Sequence, residues 1–193
     1  MTFTTASFLA DRTAREALAR RAGVSRCRYG GRMAAGRVHL LYGLAGSGKT
    51  TLARVMAADG KAVRFTLDEW MIRLYPGLSF ESAEYGRQTE VVKDFIWSLA
   101  EQVLAAGTDV VLDWNSWSRA RRAWAIRRAA EIPAPVVLHR LGASVEQASA
   151  QAAQRARDQR TIYGHLISRR DNEHLASIME SPSEEEGFLI IDV

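Results

Sequence analysis

Along this chain, short and mostly apolar runs alternate with longer stretches in which apolar residues recur at every third or fourth position. Val38 to Tyr42 is such a run; a glycine-rich string follows it directly, and it reads as a buried strand. Further runs over 62–67, 109–112, 135–139 and 188–191 predict four more strands, the second leading onto Asp68 and the third onto Asp113. Between them, 51–58 reads as a helix closed by Asp59 and Gly60. Val92, Phe95, Ile96, Leu99 and Val103 mark a long helix ending at Gly107, and 118–131 marks another. Ser144 and Gln147 form a capping box that opens a polar helix reaching Arg157, and a last helix covers 172–179. The stretch from Trp70 to Tyr85 contains Pro76 and Gly77, lacks clear periodicity and reads as irregular. Strands alternating with helices at this interval predict an α/β fold, a parallel sheet with helices on both faces.

Before the first strand, Phe8, Leu9 and Leu18 give a weak helical pattern among Arg and Ala. Residues 1–36 are therefore read as a helical extension and 37–193 as one domain. The extension shares its arginine-rich composition with transit peptides, but Asp11 and Glu16 interrupt it and it has no apolar signal core. A length of 193 residues suits one substantial core. The net charge of +4 suits an anionic ligand, yet 22 acidic residues are interspersed with 26 basic ones, which argues against a nucleic-acid coat protein. Cys27 is the single cysteine, so no internal disulfide or cysteine-based metal site is expected, and a reducing cytoplasm fits best. The apolar runs are too short to span a bilayer.

The string from Gly43 to Thr50, GLAGSGKT, places Gly43, Gly48, Lys49 and Thr50 at the required positions of a phosphate-binding loop, or Walker A motif, between a strand and a helix. Glycines let successive backbone N–H groups point at one centre, and the following helix turns its positive end to the same anion. The nucleotide contacts are thus expected from Gly43, Leu44, Ala45, Gly46, Ser47, Gly48, Lys49, Thr50 and Thr51. Lys49 would reach the β- and γ-phosphates of ATP, and the Thr50 hydroxyl would join a Mg²⁺ shell. Lysine occurs only at 49, 61 and 93, the other basic residues all being arginine, so the loop position selects the compact cation.

In open α/β sheets ligands bind beyond the carboxyl ends of the strands, where Gly43, Asp68 and Asp113 are all expected to emerge. Asp113, after Val110, Val111 and Leu112, has the form of a metal-holding Walker B carboxylate. Asp68 precedes the aromatic segment and could orient an acceptor hydroxyl and take its proton. The sequence leaves open which carboxylate faces metal and which faces acceptor. Arg155, Arg157 and Arg160 lie in a basic stretch, 155–170, that reads as a mobile flap over the triphosphate. Arg119, Arg121, Arg122, Arg127 and Arg128 crowd one helix and read as a solvated stripe or as contacts to an anionic acceptor. Trp70, Tyr75, Phe80 and Tyr85 are pocket walls or core, Trp97 is core, and the four histidines show no metal-ligand spacing.

Taken together, LYGLAGSGKTTLAR, FTLDEW, VVLDWNSWSRARR, the Arg155 flap and the late ESPSEEEG segment with Glu180, Pro182 and Glu185 resemble the P-loop kinases of the nucleoside-monophosphate-kinase-like group. The likeness is especially to predicted kinases related to chloramphenicol phosphotransferase, zeta toxin and the polynucleotide 5′-hydroxyl kinase domain, and runs from 38 to 193. The resemblance implies a P-loop NTPase three-layer sandwich with strand order 2-3-1-4-5 and a small arginine-rich lid, with ATP and Mg²⁺ as cofactors. It also implies that Asp68 activates the acceptor hydroxyl and that Arg155 belongs to the lid. Acceptors in the group are diverse. Lack of an extended basic stretch interleaved with aromatics favours a hydroxyl-bearing small molecule over a nucleic-acid end. A non-catalytic ATP-binding regulator is the remaining alternative. A GTPase switch would need a guanine-reading NKxD element, and no lysine here follows an asparagine.

Overall fold

A computed structural model describes residues 35–58, 60–157 and 167–193. Its centre is β1 (Val38–Tyr42), whose Val38, Leu40 and Leu41 are fully buried because parallel strands take neighbours on both sides and helices on both faces. It pairs in parallel with β3 (Asp109–Asn115) and β4 (Val136–Arg140), while β2 (Ala62–Phe65) and β5 (Leu189–Asp192) form the edges. The resulting order, β2-β3-β1-β4-β5, is the one the resemblance implied.

Among the described residues, six α-helices connect and cover these strands: α1 (Lys49–Ala58), α2 (Leu67–Leu74), α3 (Ala83–Ala105), α4 (Arg119–Glu131), α5 (Val145–Arg157) and α6 (Arg169–Ile178). Leu40, Leu112 and Leu138 meet Met71 of α2, Ile96 and Trp97 of α3 and Ala125 and Ala129 of α4 on one face. On the other, Leu41 and Val111 meet Ala53 of α1. Trp97 is buried core, as expected. The Ser144–Gln147 capping box forms in both directions, at 3.0 and 3.2 Å.

Three boundaries differ from the sequence expectation in ways that move the site. The second strand stops at Phe65, and Thr66, in extended conformation, starts α2; Asp68 is a first-turn helical residue rather than the residue after a strand. Asp68 and Glu69 both suit that position, where carboxylates meet the positive end of the helix. The segment 70–85 is largely helical, because α2 runs to Leu74 and Ser82 caps α3 by accepting from the Tyr85 N–H at 3.0 Å. The third strand continues to Asn115, so Asp113 lies within it. There the register jumps from Leu40 opposite Leu112 to Leu41 opposite Asn115, leaving Asp113 and Trp114 as a bulge beside the phosphate loop. The last helix also begins earlier than expected, at Arg169, behind a Ser168–Asp171 capping box.

Residues 1–34, which hold most of the expected helical extension, and 158–166, which hold Arg160 and most of the expected flap, lie outside the described residues. No helix among the described residues is long and apolar enough to cross a membrane. No group of three or more His, Cys, Asp or Glu among them could hold a metal ion. His39 and His139 face each other across β1 and β4 at 3.0 Å, and His39 also meets Asp109 at 3.2 Å, a polar contact built into the sheet.

Candidate active site

The glycine-rich string forms a loop at the carboxyl end of β1. Gly43, Gly46 and Gly48 all have positive φ, and the Ser47 N–H closes a turn onto the Leu44 carbonyl at 3.1 Å. Gly46 also has no room for a side chain: a Cβ there would lie 2.1 Å from the Ala148 carbonyl of α5. The loop thus rests directly on α5. Lys49, the first residue of α1, folds back so that Nζ donates to the carbonyls of Gly43 and Leu44, at 2.8 and 2.7 Å. Burial pulls its ammonium down to a pKa of about 8, against the opposing pull of Asp113 and Asp68, while Arg155 adds to the depression.

Thr50 donates from its hydroxyl to Asp113 Oδ1 at 3.2 Å, joining the second motif to the first. The other oxygen, Asp113 Oδ2, accepts from Arg64 Nε at 2.7 Å, and Arg64 Nη2 reaches Glu69 Oε1 at 2.6 Å. Arg64 was not among the sequence candidates. It lies 49 positions from Asp113, half-buried in a four-residue edge strand with no clean alternation, so no local pattern announces the pair.

Asp68 is half-buried, and its charge is felt by Lys49, by Tyr85 and by Arg121. Burial raises the Tyr85 phenol, Asp68 raises it further, and Arg121 opposes. Asn115, at the end of β3, donates from Nδ2 to the Gly43 carbonyl at 3.0 Å, while its buried Oδ1 and the buried Ser47 hydroxyl lack partners among the described residues.

A second buried support comes from α6. Asn172, with no solvent exposure, accepts from the Ala45 N–H at 3.0 Å and donates to the Ala45 carbonyl at 2.9 Å and to Ser149 Oγ of α5 at 3.1 Å. Ala45 was expected to offer its backbone to nucleotide; both of its backbone groups are engaged by Asn172, so Ala45 braces the loop. Leu44 is buried and its carbonyl is taken by Lys49. Thr51 lies at the exposed side of α1's first turn, and Arg155 is exposed in the last turn of α5.

The arginines of α4 divide by face. Arg122 is fully buried and forms a two-pronged ion pair with Glu186, at 2.8 and 2.9 Å, so it is neither surface stripe nor acceptor contact. Arg128 pairs with Asp94 at 2.7 Å. Arg121 is half-buried over the Trp117 ring at 5.2 Å. Glu180 caps α4, accepting from the Arg119 N–H at 2.6 Å. Of the aromatics, Trp70 packs between Phe65 and Phe95 with centroid distances of 6.3 and 6.0 Å, Tyr75 and Tyr85 lean on the core, and Phe80 is exposed.

A family model described as an AAA domain, AAA_33, matches residues 38–175. The chain belongs to that family. Its match contains the phosphate loop, both carboxylates and Asn172. No curated protein matches this AAA domain. Among solved structures, a chain of the Pnkp1/Rnl/Hen1 RNA repair complex aligns with 79% of this chain and 46% of its own length, at 19% identity and a TM-score of 0.62. Kti12 from Chaetomium thermophilum, in complex with ADP-AlF3, aligns with 80% of this chain and 88% of its own, at 19% identity and a TM-score of 0.58. The APS kinase CysC from Mycobacterium tuberculosis, in complex with AMPPNP and APS, aligns over 82% and 88% at 18% identity and a TM-score of 0.52. These likenesses concern the fold: this AAA domain has the kinase-like P-loop architecture that the sequence resemblance implied.

Proposed function

We propose that the protein is an ATP- and Mg²⁺-dependent phosphotransferase that moves the γ-phosphate of ATP to a hydroxyl of a small molecule, acting in the cytoplasm. The observation that carries this reading is that the charges of two carboxylates, Asp68 and Asp113, both act on the half-buried Lys49 of the phosphate loop, with Asp113 also accepting from Thr50 at 3.2 Å. A bare nucleotide-binding module needs one of them at the metal; a kinase needs a second, facing the acceptor.

The residues fit the expected metal. Thr50 and Asp113 already share a hydrogen bond at 3.2 Å, the hydroxyl and carboxylate pair that would hold Mg²⁺, which when bound would neutralise phosphate charge. Arg64 fixes the second Asp113 oxygen, and that favours Asp113 for the metal side and Asp68 for the acceptor side. The N–H groups of Gly46, Gly48, Lys49, Thr50 and Thr51 would cradle the phosphates, with Gly43, Leu44 and Ala45 shaping the loop beneath them, while Ser47 would offer its N–H only by releasing the Leu44 carbonyl it holds at 3.1 Å. Lys49 would exchange its two carbonyl partners for β- and γ-phosphate oxygens. Asp68 would accept the proton of the acceptor hydroxyl as its oxygen bonds to the γ-phosphorus and the bond to the β–γ bridging oxygen breaks, releasing ADP. Arg155 would add positive charge to the transferring group from α5.

The test is transfer of labelled γ-phosphate to a panel of alcohols, sugars, antibiotics, nucleosides and oligonucleotide ends. Lys49→Ala should lower transfer by about 10²-fold or more. Asp68→Asn should lower turnover by roughly 10²- to 10⁴-fold with ATP binding nearly intact. Wild-type rates in either variant would refute the assignment, and ATP binding without any labelled product would favour a nucleotide sensor.

A further inference from the structure

Five arginines lie on α4, and four have ordinary explanations. Arg122 is consumed by Glu186, Arg128 by Asp94, and Arg119 and Arg127 are exposed to solvent. Arg121 is different. It is half-buried, yet no carboxylate among the described residues forms an ion pair with it. Its guanidinium lies over the Trp117 ring at 5.2 Å and approaches the Asn115 carbonyl only at 3.5 Å. A cation removed from water without a paired anion costs free energy, and a planar fork held against an indole is oriented for two-pronged recognition of an anionic oxygen group.

Its place in the fold gives the orphan a purpose. Asn115, whose carbonyl Arg121 approaches, holds the Gly43 carbonyl of the phosphate loop at 3.0 Å, so Arg121 stands at the same end of the sheet as the nucleotide loop. We infer that Arg121 binds a negatively charged oxygen group on the phosphate acceptor, a carboxylate or a phosphate, so that the substrate class is an anionic small-molecule alcohol. The electrostatics agree. Burial lowers the Arg121 guanidinium, while Glu90, Asp68 and Tyr85 support it; Lys49 is influenced by Asp113, Asp68 and Arg155. Asp68 is the carboxylate common to both sets, so its charge acts on both the loop lysine and Arg121. The inference rests on the phosphotransferase reading for the word acceptor, but the anion site itself does not.

Two measurements separate those claims. In the first, the full chain saturated with a non-hydrolysable ATP analogue is titrated with inorganic phosphate and with acetate by calorimetry. Arg121→Gln should weaken phosphate binding by about tenfold or more, as loss of a charged hydrogen bond entails, with Arg121→Lys intermediate. Equal phosphate binding by wild type and Arg121→Gln overturns the inference. In the second, glycerate is compared with glycerol, gluconate with glucose, and a nucleoside 3′-monophosphate with its nucleoside, which also distinguishes carboxylate from phosphate. The anionic member of a pair should be the better acceptor, and Arg121→Gln should erase that preference mainly through KM. A neutral member used as well as its anionic partner also overturns the inference. Phosphate binding that depends on Arg121, with no transfer to any acceptor, would instead count against the phosphotransferase reading and leave the anion site standing.

Discussion

Asn172 brackets the backbone of Ala45, taking its N–H at 3.0 Å and capping its carbonyl at 2.9 Å across 127 positions of sequence. The amide of α6 thereby braces the outer turn of the phosphate loop, and Ser149 ties the same side chain to α5. Loop shape then depends on a residue that nothing in the loop's own sequence specifies.

Asn172→Ala should leave both Ala45 groups short of a partner and cost about 1–3 kcal/mol of stability. Asn172→Asp keeps one acceptor, loses the donor and adds negative charge beside the phosphate site, so it should weaken ATP binding more than the alanine variant does. Thermal unfolding and titration with a fluorescent ATP analogue check both. Unchanged ATP affinity in both variants, with stability lowered, would make the bracket purely structural.

The strands, helices and parallel sheet were legible because each strand is a short apolar run and each connection a helical period, whereas the sheet order was implied by the family resemblance. The phosphate loop was legible because its chemistry is local. The end of β2 was not: Phe65 and Leu67 continue an apparent alternation, although Leu67 is already helical and buried against the core. Helix α2 does carry a helical period, at Leu67, Trp70, Met71 and Leu74, but its first member reads as the end of the strand before it. Arg121 and Arg122 are adjacent in sequence yet face different surroundings, since consecutive helical residues point about 100° apart, and only the packed structure separates the buried partner of Glu186 from the orphan over Trp117. Arg64 and Asn172 act over long sequence separations, which leave no local trace.

The Arg122–Glu186 pair holds the C-terminal segment onto α4, with Arg122 also donating to the carbonyls of Ser116 and Glu180 at 3.1 and 2.9 Å. Arg122→Ala should destabilise the protein by about 3–5 kcal/mol, because Glu186 would remain buried without its partner. Burial alone would push the Glu186 carboxyl up, but the Arg122 guanidinium and the Ser183 N–H outweigh it and hold it below its usual value. A depressed carboxyl contributes stability that is present above the unfolded pKa and lost as pH falls through the folded one. Urea unfolding at neutral and acidic pH should therefore show a loss in wild type that Glu186→Gln reduces. An identical pH dependence in that variant would remove Glu186 from the account.

Lys49 provides the most direct link between the folded site and its ligand. Its pKa of about 8 lies below the usual lysine value, so between about pH 8 and 10 the native chain binds fewer protons than the unfolded one, and stability from this group rises with pH across that window. Nucleotide binding should act in the opposite direction, because phosphate oxygens favour the charged ammonium. ATP binding near pH 8.5 should then take up a substantial fraction of one proton at Lys49, and ATP affinity should fall as pH rises above about 8. Calorimetry in buffers of different ionisation enthalpy measures the uptake directly. It should be absent at pH 6.5, where Lys49 is already charged by its pKa of about 8, after the titration of ATP itself is subtracted. Lys49→Met should abolish it at every pH. Equal proton uptake in wild type and Lys49→Met at pH 8.5 would show that another group titrates, and that Lys49 does not answer the phosphates.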